Sequence, residues 1–140
     1  MKKMLMAFAL GVFALSLSLS LLAEAGQTVT TKLSDWCTVE TPESAKVGDT
    51  VEVKVSLQNI TVPTKLNCHL HFLKEDGEYG GFWVYAPPVD VNSEGTFTIK
   101  FKLTEKENAA KASVTVFLGP DGDWKNRTAT CSGGAFPVTK

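Results

Sequence analysis

An all-β fold, two antiparallel sheets of about seven strands packed as a sandwich, is what this 140-residue sequence predicts. Three observations carry that expectation. Apolar side chains recur at every second position along several short runs, turn residues punctuate the gaps, and no stretch sustains a helical period. Successive strand residues point to opposite faces, so a run with one greasy side needs a second layer to cover it.

Taken in order, the chain opens on Lys2 and Lys3, followed by an apolar run from Met4 to Leu22 diluted by Ser16, Ser18 and Ser20. Ala23-Glu24-Ala25 then closes it with small residues. That is the layout of an export signal over 1–25, cleaved before Gly26 to leave about 115 residues, one domain. A retained anchor is the rival, because the run approaches the roughly 20 residues that span a bilayer. The small-x-small ending, with no basic stop after it, favours cleavage and no stable membrane span. The Met-Lys-Lys start is of a bacterial kind, so the product is expected to be secreted or periplasmic, in a compartment that allows disulfides. Residues 26–34, polar and threonine-rich, read as a flexible lead-in, and 35–140 as the sandwich.

Strands are expected near 36–41, 50–58, 65–73, 81–86, 96–103, 111–118 and 129–138, with a short one near 88–91. Val51, Val53, Val55 and Leu57 share a side opposite Glu52, Lys54, Ser56 and Gln58. Phe97, Ile99, Phe101 and Leu103 do the same against Thr96, Thr98, Lys100 and Lys102. Ala112, Val114, Val116 and Leu118 form a third dry side, with Ser113, Thr115 and Phe117 expected on the wet one. Turns fall at Val47-Gly48-Asp49, Glu75-Asp76-Gly77, Ser93-Glu94-Gly95 and Asp121-Gly122, and helix is limited to a turn near Thr104 to Ala110.

Strand order and spacing resemble an immunoglobulin-like or fibronectin type III-like domain. Ala45-Lys46-Val47-Gly48-Asp49-Thr50-Val51 and Gly95-Thr96-Phe97-Thr98-Ile99 carry the resemblance. Leu118-Gly119-Pro120-Asp121-Gly122-Asp123-Trp124, followed by Thr128, is similar to a hairpin in immunoglobulin-like accessory domains of secreted bacterial glycosidases. The resemblance implies an immunoglobulin-like sandwich, and a glycan as one candidate ligand. An immunoglobulin proper would bridge two central strands with a disulfide; here Val53, Val55, Val114 and Val116 occupy them.

Cys37, Cys68 and Cys131 are expected near strand starts at one end of the sandwich, which leaves three pairings open. Cys37–Cys131 ranks first, because first and last strands often lie side by side. Cys68, on the side of Leu66, Leu70 and Phe72, then fits a buried free thiol.

The string Cys68-His69-Leu70-His71-Phe72 is the most chemically suggestive. On a strand His69 and His71 point the same way, about 7 Å apart. They are either two solvent-facing histidines or part of a metal site completed by carboxylates such as Glu75, Asp76 or Glu78. Phe82-Trp83-Val84-Tyr85 admits two registers. In one, Trp83 and Tyr85 join His69 and His71 on an outer face with Phe117 nearby, a surface on which sugar rings could stack. In the other, Trp83 is a core residue. Trp36 reads as a packing residue. Trp124 either folds back on the sheet or anchors a binding loop with Asn126 and Arg127. Asp121-Gly122-Asp123 is too short for a calcium loop and reads as a turn.

Without Lys2, Lys3 and Glu24, 12 basic residues stand against 14 acidic ones, so the electrostatic footprint of a nucleic-acid binder is missing. No nucleophile elbow, phosphate loop or zinc-protease motif is present. The chain is therefore expected not to be an enzyme and to need no cofactor. The function expected is an exported binding module for a glycan, a cell-envelope component or a protein. Two alternatives stand beside it: a periplasmic metal-binding protein built on His69 and His71, and an assembly subunit that pairs through an edge strand.

Overall fold

The computed structural model describes residues 27–104 and 109–140. The expected leader over 1–25, and the middle of the expected helical turn, lie outside the described residues. Ten strands follow in order: β1 (Thr28–Ser34), β2 (Cys37–Pro42), β3 (Ala45–Lys46), β4 (Thr50–Leu57), β5 (Thr64–Leu73), β6 (Tyr79–Tyr85), β7 (Val89–Val91), β8 (Gly95–Lys102), β9 (Lys111–Gly119) and β10 (Ala129–Thr139). Only one 3₁₀ turn, Trp124–Asn126, interrupts them among the described residues. The first sheet runs β1-β2-β4-β8; the second runs β3-β10-β9-β5-β6, with β7 also on β5. All pairings are antiparallel except β10 with β3, where Val138 lies opposite Ala45.

Alternation does what the sequence expects in β4 and β8. Val51, Val53, Val55, Leu57, Ile99 and Phe101 are buried, and Glu52, Lys54, Lys100 and Lys102 are exposed. These inner sides meet Leu66, Cys68, Leu70 and Phe72 of β5 and Ala112, Val114, Val116 and Leu118 of β9 in one core. β9 departs from the expectation. Ser113, Thr115 and Phe117, expected wet, are 6%, 3% and 0% exposed. The reason is position: β9 is central, between β5 and β10, and its outer side chains lie under neighbours such as His71, Ser132 and Trp124.

Two further departures concern the start of the chain. The expected lead-in over 26–34 contains β1, paired to β2 from Thr28↔Pro42 to Ser34↔Cys37. Its side chains are mostly exposed, so no dry side advertised it. The chain then leaves the first sheet after β2 and joins the second as the two-residue β3.

β10 runs close against β1 and β2 of the first sheet. Its register shifts between Gly133 and Phe136, and Gly134 sits at φ +63°, in the left-handed region. A Cβ there would lie 2.9 Å from Val39 Cγ2. Gly134→Ala is therefore expected to destabilise the domain by about 1–2 kcal/mol from backbone strain alone. A lower urea midpoint with an unchanged slope would register it, whereas an unchanged midpoint would show that β10 can move away from β2.

Candidate functional site

The second sheet turns its outer side to solvent, and β5 and β6 decide what is shown there. His71 pairs with Trp83 and His69 with Tyr85 across the two strands, so all four side chains fall on one face. Phe82 points the other way and stacks on the buried Phe72, centroids 4.3 Å apart and planes 15° apart. Of the two registers open for Phe82 to Tyr85, the fold thus adopts the one with Trp83 and Tyr85 outward.

The rings on this face touch in a continuous series. Trp83 and Tyr85 are 6.5 Å apart and within 12° of parallel, and Tyr79 lies 6.0 Å from Trp83. His71 lies 4.7 Å from Trp83, and His69 meets Tyr85 edge-on at 4.6 Å. His69 also meets Phe117 edge-on at 5.3 Å, and Phe117 meets Trp124 at 5.1 Å. The Arg127 guanidinium covers the far side of the series, 4.1 Å from the centre of the Trp124 ring. Tyr79, Tyr85 and Trp124 are 51%, 66% and 45% exposed, so large aromatic surface stays in water. The sheet-face and loop candidates, separate in the sequence, form one surface.

Trp124 is placed by its hairpin. Asp121 Oδ1 accepts from the Asp123 N–H and Asp123 Oδ1 from the Lys125 N–H, each at 2.9 Å. Asn126 Nδ2 donates to Asp121 Oδ2 at 2.9 Å, and the buried Asn67 donates to the Asp121 carbonyl at 3.3 Å. Arg127 Nη1 donates to the Trp124 carbonyl at 2.9 Å. These oxygens cap a turn, in keeping with the turn expected of Asp121-Gly122-Asp123.

Electrostatics on the face centre on the imidazoles. Burial alone lowers the pKa of both His69 and His71 from 6.5, because half-buried rings favour the neutral form. As pH falls below about 6.5, the unfolded chain takes up protons that the folded chain resists, so stability is expected to fall. Thermal unfolding at pH 7.5, 6 and 5 checks this: His69→Gln with His71→Gln should flatten the slope across that window. Among the described residues no group of three or more His, Cys, Asp or Glu is placed to hold a metal ion. Glu75, Asp76 and Glu78 are not brought to the histidines.

The cysteines correct an expectation. Cys37, Cys68 and Cys131 are all free thiols. Cys37 on β2 and Cys131 on β10 are indeed partners, but through a thiol hydrogen bond. The bond to Cys131, then burial, raises the Cys37 pKa, while Cys131, as acceptor from Cys37 and partner of Ser34, is lowered. Burial pushes the Cys68 thiol up to about 12. Trp36 is half-buried against the core, in its expected packing role. Elsewhere, a polar depression of about 1080 Å³ lies on the first sheet beside Glu40, Asp49, Glu52 and Lys100, and none of the aromatic residues reaches it.

No family model and no curated protein matches the chain. Among solved structures it is similar to the Pseudomonas fluorescens alkylpurine DNA glycosylase AlkC bound to DNA containing an abasic site analog, at 12% identity and a TM-score of 0.43. The likeness covers 82% of this chain and 31% of that one, so the chain spans about a third of that protein's length. The expectation that the chain is not an enzyme is corrected here: the solved structure found similar is itself an enzyme, and absence of catalysis forms no part of the reading of this chain. A likeness of this size carries no argument for what the chain does. Among the described residues no helix is long and apolar enough to cross a membrane.

Proposed function

We propose that the chain is an exported, immunoglobulin-like binding module that takes a glycan on the outer face of its second sheet. The observation that carries this reading is the pair Trp83 and Tyr85, near-parallel at 6.5 Å on a face where Tyr85 is 66% exposed. The apolar C–H side of a sugar ring packs on an aromatic face, and its hydroxyls need donors and acceptors at the edge. Imidazole nitrogens, the Tyr79 and Tyr85 hydroxyls and Arg127 provide them here. Exposed aromatic surface of this extent is otherwise an aggregation liability, which a ligand would cover.

Two features of the sequence support the export half of the proposal, the leader over 1–25 and the resemblance to accessory domains of secreted glycosidases. Incubation of the purified chain with insoluble cellulose, chitin and cell-wall polysaccharide, followed by measurement of protein left in solution, tests it. Depletion by at least one polysaccharide, competed by its soluble oligomer, is the expected result. Full recovery of soluble protein from all of them overturns it.

A further inference from the structure

Imidazole is the one side chain type on the aromatic face whose charge changes in mildly acidic solution. His69 stands edge-on between Tyr85 and Phe117, and His71 lies against Trp83. His71 Nδ1 is 3.1 Å from Thr115 Oγ1, which is in turn 2.9 Å from Ser132 Oγ. That hydroxyl chain serves either protonation state. Thr115 can donate to a bare Nδ1 while accepting from Ser132, or accept from a protonated Nδ1 while donating to Ser132. Proton uptake by His71 therefore leaves both hydroxyls partnered.

Among the described residues no carboxylate answers the charge so created. On the elements packed against β5, β6 brings the phenols of Tyr79 and Tyr85, and β9 brings Lys111 opposite Leu73. β7 brings Asp90, already held by Lys65 at 2.7 Å at the far end of the strand. β10, beyond β9, places Thr130 and Ser132 opposite Phe117 and Thr115. In the hairpin, Arg127 and Lys125 are cations, while Asp121 and Asp123 are engaged with Asn126 and backbone N–H groups. Glu75, Asp76 and Glu78 sit in the exposed turn before β6. Burial is what lowers both imidazoles. Protonated, the two rings are cations seated among aromatic faces, a place where an acidic ligand would supply the counter-charge.

Resting on the glycan reading above, we propose that the face takes acidic polysaccharides, chains of uronic acid, and that protonation of His69 and His71 switches this binding on as the pH falls. The sugar ring stacks on Trp83 or Tyr85, and its carboxylate accepts charge-assisted hydrogen bonds from the imidazolium N–H groups. A neutral glucan gains nothing from the protons. By linkage, a bound carboxylate holds protons on the histidines, so complex formation takes up protons from buffer.

Isothermal titration with oligogalacturonate and with a neutral cello-oligosaccharide, near pH 7.5 and near pH 5 in buffers of different ionisation enthalpy, tests this. Uronate affinity is expected to rise at least about tenfold at the lower pH, with net proton uptake, while that for any neutral sugar bound stays level. In His69→Gln with His71→Gln the rise and the uptake should vanish. NMR titration of the imidazole C–H signals in the unaltered chain gives a second reading that needs no variant: both pKa values should climb when uronate is present. Neutral-sugar binding with uronate affinity flat in pH, or a pH rise that persists in the double variant, overturns the switch and leaves the glycan reading standing. Binding of neither sugar at either pH, with no depletion by any insoluble polysaccharide, overturns both.

Discussion

Trp83→Ala is expected to weaken retention on a polysaccharide by at least about tenfold, the loss that follows from removing a central aromatic anchor. Trp83 contacts more rings of the face than any other: Tyr79 at 6.0 Å, Tyr85 at 6.5 Å and His71 at 4.7 Å. Tyr85→Ala is the cleaner companion, because a side chain 66% exposed contributes little to folding. Depletion isotherms for the two variants and the parent, with thermal unfolding run beside them, separate binding from folding. Two variants that keep both the parental melting temperature and the parental isotherm would remove the face from the binding account. Trp124→Ala is expected to weaken retention less. It takes away one end of the series, although it also uncovers Phe117, which is buried beneath Trp124.

Phe72→Ala is expected to cost about 3–5 kcal/mol of folding free energy, the range for deleting a buried phenyl ring. Phe72 is 1% exposed, packs within the single core, and stacks on Phe82 from beneath β6. The ring therefore serves two links at once: it fills the space between the sheets, and it holds inward the side of β6 that forces Trp83 and Tyr85 outward. A domain with total stability of roughly 5–15 kcal/mol would lose a large share of it. Equilibrium urea unfolding checks the loss, and Phe72→Leu, which keeps most of the volume, should cost distinctly less. A loss under about 1 kcal/mol for the alanine variant would mean that the core can collapse around the gap.

Most of the strand layout was legible because burial on one side writes a period of two into the chain. β4 and β8 follow it residue by residue, and Val51 opposite Phe101 and Val53 opposite Ile99 join two such runs across the first sheet. β1 was not legible, since an edge strand exposed along most of its length has no dry side to read. β3, two residues paired parallel to β10, is too short to show a period. The outer side of β9 misled for the opposite reason. Ser113 and Thr115 are polar yet buried, because their hydroxyls meet the Gly133 carbonyl, His71 and Ser132, which satisfies them without water.

Pattern along the chain was enough to specify the two-layer β architecture, the turn positions and the pairing of His69 with His71 on one side of a strand. Each of these depends on neighbours a few residues apart. Four consecutive large apolar residues at Phe82 to Tyr85 carry no polar contrast, so their orientation waited on the register of β6 against β5 and on Phe72 below. The joining of the Trp124 hairpin to β5 through Phe117 and His69, 48 residues apart, and the meeting of Cys37 with Cys131 as thiols, 94 residues apart, depend on distances between segments remote in the chain. Such distances are set by how the layers pack, and a one-dimensional pattern does not contain them.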